Sequence, residues 1–387
     1  ENATFWLRQD DSPRNWLWDV AWVGGTYLAV GDMATVLSSR SGTSWTLEAV
    51  PEAADGEVLY GVGGSAEVGL AVGSGGLILR SAAAYTNVVT AHEITVGSVT
   101  KTVSTTNRIA LLGVLWESVE PRPTTNTLQG VAWEGGRFVL TGGEGEILTG
   151  TNGTQWTRAV AAGKEFLSSV AGFGGTWVAT GAKGAIYTST DALSWSRRVS
   201  GTDRWVYRVA RAGDLWVAVG EGGMILTSPD GVSWTPRTSG TTSWLTGVAS
   251  VGGLVYACGA QGTVLRSADG TAWEPVPTLT GKALYGIASR GAQCIVAGAE
   301  GVILRALSDS VPTPVGISGY VQFREPATVL EALTFQGLPE QPFLWQSATD
   351  WGAWGPEEVL TLDMNGEIAR GREARSSRRF HRAAPVP

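Results

Sequence analysis

The chain has 387 residues, which is enough for one large repeat domain and one small module. Its net charge is −7, so a phosphate backbone is a poor ligand and nucleic acid is excluded as an expected partner. Charged residues make up only 16%, whereas glycine (53) and tryptophan (18) are abundant, as a fold with many tight turns and large apolar wedges requires. No apolar run reaches membrane-spanning length, so we expect no transmembrane segment.

A unit of 39 residues repeats along most of the chain. Its clearest copies, Val206–Trp234 and Leu245–Trp273, align without a gap. Each copy runs through apolar segments separated by glycine turns and closes on Ser-x-Asp-Gly-x-x-Trp. One such unit cannot bury its own apolar faces, so the repetition predicts a stacked or circular array.

The number of copies follows from the glycine that ends the second apolar run of each unit. It occurs at Gly31, Gly73, Gly142, Gly181, Gly220, Gly259 and Gly298. The last four steps are 39 residues each, and only the step from the second to the third glycine is long, at 69. The apolar segments are short, β-branched or aromatic and bounded by glycine, which is typical of strands. Four such strands per unit predict an all-β fold, a seven-bladed β-propeller.

The first residues of the chain indicate how the array closes. Trp6 lies 39 residues before Trp45, in phase with the repeat, and its surroundings resemble the start of an outer strand. The seventh unit, residues 284–306, has three strands and no tryptophan of its own. We therefore expect residues 3–9, the N-terminal strand, to complete the seventh blade and remove the exposed sheet edges of an open array.

The pattern divides the chain into three parts. Residues 1–308 form the propeller, with an insertion of about residues 82–112 in blade two, after which Trp116 is in phase again. The insertion alternates and is β-prone, so we expect an extended hairpin that provides contacts. Residues 309–317 read as a linker. Residues 318–387 leave the period and predict a small C-terminal β-rich module, resembling the β-sandwich modules that close many secreted bacterial proteins, or an extension packed on the propeller.

The turn after the third strand resembles the Asp-box of sialidase-type (BNR-like) propellers. Its side chains are Asp191, Asp230 and Asp269 with Trp195, Trp234 and Trp273. In this turn the aspartate accepts hydrogen bonds from backbone N–H groups, glycine takes a positive φ and tryptophan packs back on the sheet. These residues are therefore predicted to be structural.

The whole unit is most similar to the photosystem II stability and assembly factor type of propeller, over residues 3–306. That resemblance implies a non-enzymatic binding or scaffolding platform that docks onto a protein complex or assists its assembly. It also implies an extracytoplasmic location, periplasmic or secreted, with the signal peptide already removed, and a protein partner, including one at a membrane. The insertion and the C-terminal segment depart from the family unit, and both leave from third-strand ends.

Residues suited to catalysis are sparse. The only two histidines, His92 and His381, lie in the insertion and near the C terminus, so no His-based triad, metal site or cofactor is predicted. A glycosidase needs two facing carboxylates. The candidates, on turns between second and third strands, are Asp32, Glu144, Glu146, Glu221 and Glu300. They lie on separate blades, so we predict no enzyme and keep as the alternative a carbohydrate-binding protein or glycoside hydrolase.

Aromatic residues recur where the chain enters the inner strands, on the same face as the acidic turns. The candidate binding residues are Trp16, Trp18, Tyr60, Phe166, Trp205, Tyr207, Trp244 and Tyr285, with Arg204 and Arg208 beside them. Exposed aromatic side chains around a channel suit stacking on a glycan or a peptide. The alternative is that about half of them wedge between blades as core.

The two cysteines, Cys258 and Cys294, lie on the second strands of neighbouring units. Their opposite parity could direct them toward each other across a blade interface. The alternative is that both are small buried apolar side chains.

Overall fold

The computed structural model describes residues 15–81, 115–159, 163–278 and 280–306 with their side chains, and strands outside these ranges by their backbone. The chain divides into two compact units, Thr4–Ser308 and Glu1–Ala3 with Asp309–Pro387. In the first unit, the described strands form seven four-stranded antiparallel sheets. The fold is the all-β, seven-bladed propeller that the repeat predicts.

The inner strand of each blade has six or seven residues. The seven inner strands are Leu17–Val23, Leu59–Gly64, Leu128–Glu134, Leu167–Phe173, Val206–Ala212, Leu245–Val251 and Leu284–Arg290. In six blades a two-residue turn, Gly-Gly or Gly followed by Asp or Ala, leads to the second strand, and in blade two the turn is Ser65-Ala66-Glu67. The second strands are Thr26–Gly31, Val68–Gly73, Arg137–Gly142, Thr176–Gly181, Leu215–Gly220, Leu254–Gly259 and Gln293–Gly298.

The third and outer strands complete each sheet. The third strands are Val36–Ser39, Ile78–Ala82, Ile147–Gly150, Ile186–Ser189, Ile225–Ser228, Val264–Ser267 and Ile303–Leu307. The outer strands are Thr46–Leu47, Glu117–Ser118, Thr157–Arg158, Ser196–Arg197, Thr235–Arg237, Glu274–Pro275 and Trp6–Arg8. Short 3-10 turns lie at Glu52–Ala54, Ser74–Gly76, Gly143–Gly145, Ala182–Gly184, Glu221–Gly223, Ala260–Gly262 and Ala299–Gly301.

Close backbone contacts explain the fixed glycine at the end of each second strand. A Cβ on Gly181 would lie 1.9 Å from the carbonyl oxygen of Phe166, so no side chain fits there although the backbone is extended. Three residues later, Gly184 has a φ of +63°, and its Cβ would lie 1.9 Å from the carbonyl oxygen of Thr202 in the next blade. The repeat therefore keeps glycine at two points, where the second strand touches the chain entering its own blade and where the turn touches the chain entering the next.

The hydrophobic core lies between blades. Within the ranges described with side chains, seven clusters of buried residues occupy the seven interfaces between neighbouring blades, including the one between blades seven and one. In that last cluster Leu17 and Tyr27 of blade one pack with Ile295 and Ile303 of blade seven. Burial of such a side chain contributes about 1.5–3 kcal/mol, so each interface is a substantial part of the folding free energy. A blade without neighbours would expose both of its interface surfaces to solvent.

The circle is closed by the N-terminal strand, as the phase of Trp6 predicts. Trp6–Arg8 pairs antiparallel with the third strand of blade seven, with Trp6 opposite Ala306 and Arg8 opposite Leu304. Across the interface between blades seven and one, the hydroxyl of Tyr27 donates to Oε1 of Gln293 at 3.2 Å. Blade seven is therefore built from both ends of the propeller sequence, and its third strand is paired on both sides, like the third strands of the other blades.

The insertion in blade two is a long hairpin. Ala84–Val96 and Val99–Leu111 pair antiparallel over their whole length. The blade resumes with Glu117–Ser118, which pairs with the third strand, and Trp116 is buried between blades one and two. The hairpin expected from the alternating sequence is thus present, and it leaves the blade fold complete.

The C-terminal unit contains two three-stranded antiparallel sheets. One has the order Gly316–Ser318, Glu331–Gln336, Glu367–Arg372, and the other the order Gly355–Thr361, Pro342–Ala348, Phe380–Pro385. The division of the chain at residues 309–317, most of which lie outside the described residues, and the module at 318–387 stay predictions.

Both cysteines are buried and unbonded. Cys258 and Cys294 lie in the same hydrophobic cluster, between blades six and seven. Burial raises the pKa of the Cys258 thiol to about 12 and raises that of Cys294 as well. The two thiols thus lie in one blade interface, as their opposite parity predicts, and both are buried, unbonded apolar side chains.

Candidate functional site

The chain enters every inner strand at one end of the propeller. Because neighbouring strands are antiparallel, the turns between second and third strands lie at this same end, around the mouth of the central channel. We call this end the channel-mouth face. The turns after third strands, which include the Asp-box-like turns and the hairpin in blade two, leave from the opposite end.

A bulge at the start of each inner strand directs one side chain toward this face. In blade one Leu17 pairs with Gly31 and Asp19 with Val30, so Trp18 has no partner in the ladder. The same one-residue shift occurs at the start of the other six inner strands. A bulge re-aims the extra residue and leaves the next one facing the channel. The predicted residues Trp18, Tyr60, Tyr207 and Tyr285 all occupy this bulge position.

Trp16, Trp18, Tyr60 and Tyr285 form the first aromatic cluster, from blades seven, one and two. The ring of Trp18 is stacked on that of Tyr285 with centroids 4.6 Å apart, and it lies 5.7 Å from the ring of Tyr60. Trp16 is 5.5 Å from Trp18 and 5.9 Å from Tyr285, and 41% of its surface is exposed. The four rings therefore form one continuous aromatic surface that reaches solvent.

Asp32 holds the first aromatic cluster in place and gives it charge. The indole Nε1 of Trp18 donates to Oδ1 of Asp32 at 2.7 Å. Burial raises the pKa of Tyr60 and of Tyr285, and the nearby charge of Asp32 adds to both shifts. Among the residues that the structure describes, Asp32 forms no ion pair.

Phe166, Trp205, Tyr207 and Trp244 form the second aromatic cluster, from blades four, five and six. Trp205 lies between Phe166 and Tyr207 with centroids 5.9 and 5.6 Å away, and Tyr207 is 5.9 Å from Trp244. Trp244 is 51% exposed. The carboxylate of Glu221 accepts a hydrogen bond from the backbone N–H of Trp205 at 3.3 Å, and its charge adds to burial in raising the pKa of Tyr207.

The predicted ring is thus two clusters rather than an unbroken circle. Blades three, four and six have no aromatic side chain at the bulge, where they carry Gln129, Ser168 and Thr246. Thr246 donates its hydroxyl to a carbonyl of the neighbouring inner strand instead of extending over the face. The two clusters therefore lie on different sides of the channel mouth, with polar residues between them.

Arg208 does not reach the face beside the aromatic residues. Its guanidinium pairs bidentately with Asp19 of blade one, at 2.5 Å from Nη2 to Oδ1 and 3.2 Å from Nη1 to Oδ2. Asp19 also accepts hydrogen bonds from the backbone N–H groups of Val20 and Val62. The side chains of the pair are only 21% and 5% exposed, so the bridge spans the channel below the mouth and forms a floor.

Sequence reasoning missed Asp19, although a signal was present. The other inner strands carry glycine or serine at the same position: Gly61, Gly130, Ser169, Gly247 and Gly286. Asp19 and Arg208 are thus the two charged residues at a position where the other five inner strands have a small residue. Their opposite charges predict that they pair once the ring is closed. Beyond the pair, the channel contains a cavity of about 280 Å³ lined in part by Trp22, Val248 and Ile287.

Arg204 lies on the exposed surface at the edge of the second aromatic cluster. It lines an open depression of about 680 Å³ between blades five and six, together with Arg237 and the loop from Thr238 to Thr242. Its Nη1 is 3.1 Å from where a Cβ on Gly222 would be, so the guanidinium covers the turn that carries Glu221. A cation is therefore already present beside this cluster.

Two of the candidate carboxylates are engaged in local contacts. Glu146 is 4% exposed, accepts a hydrogen bond from the hydroxyl of Thr124 at 2.8 Å and pairs with Arg158 at 2.9 Å. Glu300 pairs with Lys282 at 2.5 Å on the surface. Asp32 and Glu221 are the candidates that border the aromatic clusters.

The turns that resemble Asp-boxes are held by their own side chains at the opposite end. Asp230 accepts hydrogen bonds from the backbone N–H groups of Val232 and Ser233 at 2.8 and 2.9 Å, and Nε1 of Trp234 donates to the carbonyl of Gly231 at 2.9 Å. Equivalent carboxylate contacts occur at Asp191 and Asp269. These bonds favour the ionised carboxylate and lower the pKa of Asp191 and Asp230, whereas at Asp269 the hydroxyl of Thr271 lowers the pKa most and the backbone bonds add to it.

Two of these three tryptophans have a partner for the indole N–H. That of Trp273 donates to the carbonyl of Gly270 at 3.1 Å, as in the turn of Trp234. The indole N–H of Trp195 is buried without an acceptor, in the turn where Ala192 replaces glycine at a φ of +59°.

No helix in the described part of the chain is both long and apolar enough to cross a membrane.

Comparison with known proteins identifies the fold. No protein-family profile and no curated protein matches the sequence. YCF48 from Cyanidioschyzon merolae is similar in structure, with a TM-score of 0.58 and 18% identity over 78% of this chain and 98% of its own. YCF48 bound to D1 peptide has a TM-score of 0.59 and 16% identity over 80% of this chain and 98% of its own. Virginiamycin B lyase from Staphylococcus aureus has a TM-score of 0.58 and 14% identity over 79% of this chain and 99% of its own. At such identities the likeness is one of fold.

Proposed function

We propose that this protein is a non-enzymatic binding and scaffolding propeller, whose channel-mouth face docks onto an extended segment of a partner protein. The observation that carries the proposal is the pair of solvent-exposed aromatic clusters beside a channel closed by a salt bridge. Large rigid aromatic side chains supply contact area at low entropic cost and often dominate the energy of an interface. Because Asp19 and Arg208 block the channel, a ligand lies across the mouth rather than threading through it.

The carboxylates of this face favour binding over hydrolysis. A glycosidase requires two carboxyl groups held on either side of one bond. Glu146 and Glu300 are committed to contacts with their neighbours, and Asp32 accepts a hydrogen bond from an indole. One similar structure, YCF48, was solved with a D1 peptide bound, which supports a peptide as the kind of ligand that this fold accepts.

The proposal includes an extracytoplasmic location and a partner that belongs to a larger complex, including a membrane-associated one. Both follow from the resemblance to the assembly-factor type of propeller. Fractionation of native cells, with the protein followed by antibody, tests the location: recovery in the cytoplasmic fraction alone would remove this part of the proposal.

Site-specific photocross-linking in native cells tests the docking face. A benzoylphenylalanine replaces Trp244, and the control replaces Phe173, which is similarly exposed at 52% but ends an inner strand at the opposite end. We expect one protein partner to be cross-linked from position 244 and not from 173. Equal cross-linking from both positions, or none from 244, contradicts the proposal.

The aromatic surface also suits a glycan, so a glycan array run with wild type and Trp16→Ala distinguishes the alternative. Saturable binding of one glycan that is lost in Trp16→Ala would favour a carbohydrate-binding protein. Turnover of that glycan, lost in Glu221→Gln, would favour a glycoside hydrolase.

A further inference from the structure

Blades one and five differ from the other blades at the channel mouth. In both, an aromatic residue precedes the inner strand, another occupies the bulge, and a carboxylate, Asp32 or Glu221, begins the turn after the second strand. The other blades have no charge at that turn position, where they carry Ser74, Gly143, Ala182, Ala260 and Ala299. The carboxylate is therefore associated with the paired aromatic residues and is not part of the repeat.

The carboxylate of the first aromatic cluster forms no ion pair with a residue that the structure describes. Asp32 is partly exposed, and its side-chain contact is the indole of Trp18. Its charge reaches the rings of Tyr60 and Tyr285, where it makes the phenolate form less favourable. Aromatic faces carry negative potential, and a carboxylate at their edge adds to it, so the cluster attracts cations and repels anions.

The second aromatic cluster has the same parts but a different charge balance. Glu221 already accepts a backbone hydrogen bond from Trp205, and the guanidinium of Arg204 lies over the adjacent residue of its turn. Neither carboxylate forms an ion pair with a described residue, but the turn of Glu221 has the guanidinium of Arg204 over it. The net charge of −7 also favours a basic partner, because complementary charge speeds and orients docking.

We infer that the first aromatic cluster receives a lysine or arginine side chain of the docked partner segment. The inference rests on the proposed function and names the chemistry of the partner. The cation lies against the exposed rings beside Trp16 and pairs with the carboxylate of Asp32. A cation over an aromatic face gains electrostatic attraction, and partial desolvation beside the rings strengthens the ion pair.

Labelled peptides of twelve residues test the inference at low salt. The probes are (Gly-Lys-Ser-Arg)3, (Gly-Gln-Ser-Gln)3 and (Gly-Glu-Ser-Glu)3, titrated by fluorescence anisotropy. We expect measurable binding of the basic peptide alone, weakened as salt screens the charges. Basic and glutamine peptides that bind equally well would overturn the inference.

Asp32→Asn is the decisive variant, because asparagine keeps an oxygen that accepts the indole hydrogen bond of Trp18. Glu144→Gln is the matched control: it removes the same charge from an exposed turn of the same face, on a blade with no aromatic residue at the bulge. We expect Asp32→Asn to weaken binding of the basic peptide by about fivefold or more, and Glu144→Gln to leave it unchanged. Equal losses in the two variants would show that only overall charge matters, which refutes the site.

The cross-linking experiment separates this inference from the proposed function. If the partner is captured from position 244 as efficiently in Asp32→Asn as in wild type, the docking face stands and the cation site falls. If no partner is captured from that face while the basic peptide still depends on Asp32, the cation site stands and the docking function falls.

Discussion

The salt bridge across the channel gives the sharpest test of how the face is built. Asp19 and Arg208 belong to the inner strands of blades one and five, and they meet only because the array is closed. We expect Asp19→Asn to destabilise the protein, because it removes the charge that compensates a largely buried guanidinium. Asparagine keeps one oxygen for the N–H of Val62 but turns its amide nitrogen toward the N–H of Val20, so the loss includes one backbone hydrogen bond as well as the ion pair.

The size of the effect follows from burial. Breaking a buried ion pair costs about 3–5 kcal/mol, because the remaining charge is left without a partner. The side chain of Arg208 is 21% exposed and keeps some hydration, so we expect a loss of about 2–4 kcal/mol. For a propeller of this size that corresponds to a fall in Tm of about 3–6 °C.

A double-mutant cycle measured by urea denaturation isolates the pair. The variants are Asp19→Asn, Arg208→Met and the two combined, and binding of the basic peptide is followed in each. Because the second substitution removes the orphaned charge, the double variant should be more stable than the sum of the single losses allows, with a coupling of about 2 kcal/mol. Additive losses, with a coupling below about 0.5 kcal/mol, would refute a buried bidentate pair as the floor of the face.

Three further predictions concern the scaffold. Gly181→Ala should lower the urea midpoint strongly or prevent folding, because its Cβ would lie 1.9 Å from the carbonyl oxygen of Phe166; an unchanged midpoint would contradict this contact. The pKa of Asp191 is lowered to about 2 by backbone N–H bonds, so its contribution to stability is present above about pH 4 and lost as the pH falls through 2; the stability difference between wild type and Asp191→Asn should therefore shrink over that window. Replacing Ala84–Leu111 by a short Gly-Ser turn should leave the Tm nearly unchanged, since the hairpin pairs with itself; a cooperative loss of the fold would show that the blade needs it.

The sequence predicts the scaffold well because period and glycine spacing are local signals. A fixed interval between glycines counts the blades, and the phase of Trp6 places the N-terminal strand in blade seven. Both features follow from residues whose roles repeat seven times, so one copy explains the others.

The arrangement of the face was harder to predict because it depends on departures from the repeat. A bulge of one residue decides that Trp18 and Tyr207 face the mouth while Asp19 and Arg208 face the channel. The register of such a bulge is not evident from alternation alone. Arg208 and Asp19 are 189 residues apart in the sequence, and only closure of the ring brings them together.

The residues that depart from the repeat lie in the same two blades, so the salt bridge across the channel and the two aromatic clusters are structurally linked. Blade one supplies Trp18, Asp19 and Asp32, while blade five supplies Tyr207 and Arg208. Trp18 and Asp19 are adjacent in the chain, so a shift of the bridge moves the bulge that aims the indole. A rigid bridge therefore keeps both aromatic surfaces at a fixed separation across the mouth. A face held in this way loses little conformational freedom when it binds, which is how a shallow surface without a deep pocket gains affinity for an extended segment.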